Sequence, residues 1–217
     1  MSAGMSERRE APVREPVLLT YPFTGRWLVQ NSPASRVPSH GTTLFATAHA
    51  IDFVPVDDQG RSAPFTVTSL LRAEPAEHFP GFGRPVLAPA AGTVVAVHDG
   101  EEDHDAFRGF PSLGYAWTQR RRLAAGWVAL AGNHVMLRAD AGHVVVLCHL
   151  QQGSIPVASG QRVGIGDLLG RCGNSGNSTE PHLHLQVIDQ PQVPGAAAVP
   201  FVLDGDLPRN GEIVRIA

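Results

Sequence analysis

Short apolar runs separated by glycine- and proline-rich turns recur along most of this 217-residue chain. Several runs alternate apolar and polar residues with the period of two that is typical of strands. The chain holds 23 glycines and 18 prolines, whereas aromatic residues make up only 6% of it. This pattern predicts an all-β fold, an antiparallel sandwich or barrel-like sheet with tight connecting turns.

One segment interrupts the regular succession of strands. Residues 99–127 break the pattern, and their later part, 116–125, is helix-like. We therefore predict a helix-containing insertion between two strands, placed where it could wall a cleft. The predicted strands lie in Pro16–Gln30, in Ala50–Val56, in a hairpin over Pro85–Val97, in a hairpin that joins Asn133–Arg138 to Val144–Leu150, and in His182–Ile188.

The composition of the N-terminal residues and the lengths of the apolar runs predict the domain organisation and the location. Residues 1–15 are polar and charged and predict a flexible arm, whereas 16–217 predict a single domain, which we expect to be a monomer. No apolar run is long enough for a transmembrane helix, and the N-terminus lacks the apolar segment of a signal peptide. The sequence as written therefore predicts a cytoplasmic protein, or a cell-envelope protein if it is exported by another route.

Charge and cysteine content exclude some classes of protein. The formal net charge is −3, and so we expect no nucleic-acid partner, which would normally require a basic excess. The two cysteines, Cys148 and Cys172, are too few for a disulfide scaffold. Cys148 lies in an apolar run and is interpreted as a buried thiol, while a Cys148–Cys172 bridge remains an open alternative.

Histidine is the most informative residue type, and two of the ten copies form an H-x-H pattern. On a strand, the side chains of His182 and His184 project from the same face, while Leu183 and Leu185 face the core. This arrangement suits one metal ligand beside one acid–base group.

Two further residues could complete such a site. His149 ends the run VVVLCHL, and strand alternation places it on the face of Val145 and Leu147, opposite Cys148. Asp52 lies within AIDFV, where burial of a carboxylate is costly unless it is paired or binds a metal. Asp52, one histidine of the H-x-H pair and one further histidine would form a three-ligand zinc site with a fourth position for water.

Four segments in chain order resemble the LytM/lysostaphin-type zinc metallopeptidases, whose fold is a duplicated hybrid motif. They are AIDFV, GTVVAV, GNHVMLRADAGHVVVLCHL and GQRVGIGDLLGRCGNSGNSTEPHLHLQV, which cover about Ala50 to Ile188 apart from the insertion. The resemblance implies a zinc endopeptidase that acts on stem or cross-bridge peptides of bacterial peptidoglycan. It also implies that Asp52 and His184 bind Zn²⁺ and that His149 and His182 are catalytic.

The first zinc-binding histidine departs from the family pattern, which places it four residues before the aspartate. Ala48 occupies that position, and His49 is one residue too close to share the face of Asp52 on a regular strand. A β-bulge could turn His49 inward, or His40 in the preceding loop could supply the ligand. We favour His40. A third alternative is a degenerate site that binds zinc poorly or not at all.

The resemblance implies a mechanism and leaves rival functions. His182 would take a proton from water activated by Zn²⁺, and His149 would donate a hydrogen bond to the oxyanion.

One rival function is that of a degenerate LytM-type domain that acts as a non-catalytic binding or regulatory module. A lipoyl-carrier-like module is disfavoured, because the chain contains no lysine. Another rival is a cytosolic peptidase or esterase that uses a different metal.

Overall fold

A computed structural model of the protein describes residues 15–64, 67–109, 124 and 126–217. The flexible arm predicted over 1–15 and the helix predicted over 116–125 fall almost entirely outside these residues. Within the described part of the chain, no helix is long and apolar enough to span a bilayer.

Strands dominate the described residues, and the helical elements are short. The helices are α1 (Val67–Leu71) and α2 (Trp127–Ala131), and two 3-10 segments span Leu44–His49 and Ala76–His78. The strands are β1 (Val17–Leu19), β2 (Gly25–Gln30), β3 (Ile51–Pro55), β4 (Pro85–Leu87), β5 (Gly92–His98), β6 (Asn133–Ala139), β7 (Val144–Leu150), β8 (Arg162–Val163), β9 (Leu168–Arg171), β10 (Leu183–Ile188), β11 (Phe201–Leu203) and β12 (Ile213–Ile216).

Eight strands form one sheet, in the order β12-β2-β3-β10-β7-β6-β5-β8. Each neighbouring pair in this sheet is antiparallel. Two small sheets accompany it, a parallel β1-β11 pair and an antiparallel β4-β9 pair. The predicted all-β class is therefore confirmed.

The predicted hairpins had different outcomes. β6 and β7 pair as predicted, and Gly142 in the turn adopts a φ of 96°, which favours glycine. The hairpin predicted over Pro85–Val97 is wrong, because β4 pairs with β9 while β5 pairs with β6 and β8. Pro89 follows β4 and has no N–H to donate to a ladder, so the chain leaves one sheet there and enters another.

Apolar side chains cover both faces of the central strands. Leu183, Leu185 and Val187 of β10 belong to the larger core, whereas Val146 and Cys148 of β7 belong to a second cluster on the opposite face. Alternation along the strands accounts for this division. Cys148 and Cys172 are both buried free thiols, and so no bridge joins them.

Candidate metal centre

The site begins with a cross-strand pair in the middle of the sheet. Asp52 of β3 lies directly opposite His184 of β10, so both side chains project from the same face. Asp52 Oδ1 lies 2.8 Å from His184 Nδ1. Both residues are buried, as expected for side chains from two interior strands.

A third ligand comes from the loop that precedes β3. His40 lies twelve residues before Asp52, and its Nε2 is 3.0 Å from Asp52 Oδ2. One potential ligand atom from each of His40, Asp52 and His184 lies within 4.8 Å of the others. His49, at the end of the 3-10 segment, does not belong to this group among the described residues. The loop thus brings the favoured histidine to the aspartate.

His149 reaches the same site through an irregularity that alternation does not predict. His134 of β6 opposes two residues of β7, Cys148 and His149, because Val135 pairs with Leu147 while Asn133 pairs with Leu150. His149 has a φ of 60°, in the left-handed region. This bulge turns the ring away from the larger core. The face predicted for His149 is therefore wrong.

The two histidines proposed as catalytic stand side by side. The ring centroids of His149 and His182 lie 4.6 Å apart, and those of His149 and His184 lie 5.9 Å apart. His182 Nε2 is 4.0 Å from Asp52 Oδ1. All five site residues that the sequence suggested therefore converge, although their catalytic and ligand roles remain proposals.

Hydrogen bonds to carbonyl oxygens define which nitrogen of each catalytic candidate carries a proton. His149 Nδ1 lies 2.8 Å from the Ser175 carbonyl oxygen, and His182 Nδ1 lies 2.9 Å from the Glu180 carbonyl oxygen. A carbonyl only accepts, so Nδ1 must donate in both rings. A neutral ring then presents an unprotonated Nε2.

Burial and neighbouring charges shift several pKa values in the site. Burial, with the nearby His182 and His184, holds the pKa of His149 well below its ordinary value. Burial opposes ionisation of Asp52, but the charges and hydrogen bonds of His40 and His184 hold its pKa well below the usual range. Burial also opposes protonation of His184, yet the hydrogen bond and charge of Asp52 raise its pKa.

Three further polar residues at the site were missed from the sequence. Asn31 Nδ2 donates to Asp52 Oδ2 at 2.7 Å, and Ser39 and Gln186 contact His40 and His184. Gln186 shares the face of His184 by strand alternation, and this signal could have found it. No comparable pattern marks Asn31 or Ser39, because both lie in an irregular loop.

The donor set of the cluster fits a zinc ion. Two imidazole nitrogens and one carboxylate oxygen are ligands that zinc prefers, and catalytic zinc sites keep three protein ligands and an open position. His40, Asp52 and His184 together could therefore hold such an ion. The same carboxylate would otherwise be a buried charge among imidazoles, so the set also explains why an aspartate is placed in a buried strand.

A cavity of about 360 Å³ opens onto this cluster. Phe45, Trp127 and Leu130 form an apolar wall, and Asn177 and Glu180 lie among its polar lining residues. The rings of Phe45 and Trp127 have centroids 6.4 Å apart. The cavity therefore combines an apolar surface with the polar cluster, as ligand-binding clefts commonly do.

Comparison with known proteins finds a match to one family over part of the chain. The sequence model of Peptidase family M23 matches residues 115–194. The predicted resemblance to the LytM/lysostaphin-type peptidases is confirmed as a resemblance. The M23 match includes His149, His182 and His184, whereas His40 and Asp52 precede it.

Several solved structures are similar to this chain at low sequence identity. The catalytic domain of the antimicrobial peptidase lysostaphin from Staphylococcus simulans is 19% identical, with a TM-score of 0.40. The aligned part covers 72% of this chain and 80% of that domain. The catalytic domain of a mutant of the prophage-encoded M23 protein EnpA from Enterococcus faecalis is 18% identical, with a TM-score of 0.40 and coverages of 70% and 75%. Csd3 from Helicobacter pylori is 16% identical, with a TM-score of 0.38 and coverages of 79% and 30%.

Proposed function

We propose that this protein is a zinc-dependent endopeptidase that hydrolyses peptide bonds in stem or cross-bridge peptides of bacterial peptidoglycan. The observation that carries the proposal is the convergence of His40, Asp52 and His184, with ligand atoms within 4.8 Å, beside His149 and His182. The M23 match supports a peptidase, and the resemblance to the LytM/lysostaphin type supports a peptidoglycan substrate.

His40 Nε2, one carboxylate oxygen of Asp52 and His184 Nδ1 would hold the ion. Bound there, Zn²⁺ would lower the pKa of a water molecule and polarise the scissile carbonyl group. His182 Nε2 accepts the proton as the water oxygen bonds to the carbonyl carbon. The same proton passes to the leaving nitrogen when the C–N bond breaks, so the products are an amine and a carboxylic acid, which then ionises to the carboxylate.

The structure supports a modified role for His149. The sequence-based mechanism makes His149 a hydrogen-bond donor to the oxyanion. However, its Nδ1–H is committed to the Ser175 carbonyl, and burial lowers the pKa of the ring. His149 therefore begins the reaction as a proton acceptor at Nε2. It donates to the oxyanion only after that nitrogen has gained a further proton from solvent, because the proton that His182 takes passes to the leaving nitrogen.

The missing histidine at position 48 is one of the sequence features that favour the rival function, a non-catalytic binding module. The position of His40 weakens that reason, because the loop supplies an imidazole at 3.0 Å from Asp52. A regulatory module also has no need for two further imidazoles with unprotonated Nε2 atoms beside the ligand set. The geometry therefore favours the hydrolase.

The test compares purified wild-type protein, His184→Ala and the control His78→Ala, whose side chain is exposed. Bound zinc is measured by elemental mass spectrometry, and cleavage is measured as new amino groups released from purified peptidoglycan. We expect zinc and cleavage in the wild type and in the control, and loss of both in His184→Ala. A wild type that binds peptidoglycan without zinc or cleavage would support the non-catalytic module instead.

A further inference from the structure

The second nitrogen of His184 has a buried partner. His184 Nε2 lies 3.0 Å from Gln186 Oε1, and Gln186 is completely buried. The Gln186 Nε2 amide donates to the Phe45 carbonyl oxygen at 3.0 Å. Because that carbonyl can only accept, the NH2 end of the Gln186 amide must face it, and Oε1 must face the imidazole. His184 Nε2 therefore carries a hydrogen, which leaves Nδ1 for the ligand position beside Asp52.

The second nitrogen of His40 has an equivalent partner. His40 Nδ1 lies 3.0 Å from Ser39 Oγ, and Ser39 is completely buried. The hydroxyl group of Ser39 donates to the Thr47 carbonyl oxygen at 3.1 Å. Its single hydrogen is used in that bond, so Oγ accepts the Nδ1–H of His40. The Nε2 of His40 is then left unprotonated beside Asp52.

Both carbonyl oxygens belong to the same 3-10 segment, Leu44–His49, which separates His40 from Asp52 in sequence. Phe45 and Ala46 in this segment have φ values of 54° and 60°, a left-handed conformation that is costly for residues with a Cβ. Such conformations persist where the surrounding structure requires them. Here the strained pair lies at the carbonyl that holds Gln186.

We propose that Ser39 and Gln186 are positioning residues, held by the carbonyls of the Leu44–His49 segment, that fix the tautomer and ring orientation of the two histidine ligands. The inference rests on the proposed zinc site and assigns a role to the segment that separates His40 from Asp52. Partners of this kind orient metal-ligating histidines and raise their basicity. One short segment therefore orients both imidazole rings toward a shared ion.

The first measurement needs no substitution. Long-range proton–nitrogen NMR spectra of the ¹⁵N-labelled wild-type protein with Zn²⁺ report which nitrogen of each histidine carries hydrogen. We expect Nε2–H for His184 and Nδ1–H for His40. The opposite tautomer on either ring would overturn the proposal, whether or not the protein cleaves peptidoglycan.

The second measurement compares zinc dissociation constants by competition with a chelator. Gln186→Met keeps the side-chain length but removes the strong acceptor, and we expect a loss in affinity of about 10- to 100-fold. Gln186→Glu keeps an acceptor that faces His184 Nε2, and we expect it to bind zinc more tightly than Gln186→Met. Ser39→Ala should lose affinity in the same range, while the exposed control Gln190→Met should match the wild type.

The order of the two Gln186 variants separates positioning from packing. If Gln186 only fills space, the apolar Met should be tolerated and the buried Glu should weaken binding more. That order, or wild-type affinity in both Gln186→Met and Ser39→Ala, would overturn the proposal. A wild type without zinc affinity would instead refute the proposed function, so the two failures are distinguishable.

Discussion

Asp52 and His184 face each other across β3 and β10, with the carboxylate Oδ1 2.8 Å from the imidazole Nδ1. Both strands lie in the interior of the eight-stranded sheet. A site built on such strands is held more closely than one built on loops alone. Only His40, among the three candidate ligands, depends on a loop.

Replacement of the loop histidine tests which imidazole completes the ligand set. We expect His40→Ala to lower zinc affinity by at least about 100-fold, more than the loss usually caused by an outer partner. His49→Ala should bind zinc as the wild type does, because His49 does not belong to the cluster. Calorimetric titration of metal-free protein measures both. The assignment of His40 is wrong if the two variants show the reverse order.

The apolar wall of the cavity should affect substrate binding rather than the chemical step. Trp127 lines the cavity but has no group that titrates near neutral pH. We expect Trp127→Ala to raise KM roughly tenfold, which corresponds to about 1.4 kcal/mol of binding free energy, with little change in kcat. Val128→Ala, a more exposed neighbour on α2 that does not line the cavity, is the control. Steady-state kinetics on a soluble peptidoglycan fragment measure both constants. A Trp127→Ala variant in which only kcat falls would contradict this role.

Gly132 and Gly142 provide a matched test of crowding near the site. Both have positive φ, 61° and 96°, but a Cβ at Gly132 would lie 2.5 Å from Ser175 Oγ, whereas nothing lies within 4 Å at Gly142. We expect Gly142→Ala to lower the free energy of unfolding by about 1–2 kcal/mol through backbone strain. Gly132→Ala should cost roughly 1–3 kcal/mol more, because the methyl group meets the loop that holds His149.

Chemical denaturation of the two glycine variants measures these free energies. The slope of unfolding free energy against denaturant should stay the same, so that the midpoints report stability. Equal losses in the two variants would show that strain alone matters and that the contact with Ser175 does not.

The buried His134 should make the stability of the protein depend on pH. Burial lowers the pKa of His134, whose Nδ1–H donates to the Gly132 carbonyl. The unfolded chain therefore binds the proton first, and stability should fall as the pH drops below about 6.5, until the pKa of the folded state is reached. His134→Asn can keep a donor to that carbonyl without titrating. Its stability should fall less over this range.

Urea denaturation of metal-free protein between pH 5 and pH 7.5 measures that difference in slope. The exposed His78→Asn is the control and should follow the wild-type curve. If His134→Asn also follows the wild-type curve, the buried imidazole does not contribute to the pH dependence.

The alternation of side chains along a strand was sufficient to predict which face several site residues occupy. It placed His182, the residue before β10, and His184 of β10 on one face and Leu183 and Leu185 in the core, and the structure has this division. Such a prediction succeeds because the direction of each side chain on a regular strand follows from its sequence position alone. The same rule would have found Gln186.

Only the tertiary structure decided where His149 and His40 lie. His149 departs from alternation through a bulge opposite His134, and a bulge depends on the partner strand as well as on its own sequence. His40 reaches Asp52 through a loop whose path is fixed by contacts with distant residues, among them the bond from Gln186 to Phe45. The sequence by itself therefore indicated the strands that carry the site, the family resemblance and the kinds of ligand. The meeting of those ligands at one point required the fold, because it depends on contacts between residues far apart in the chain.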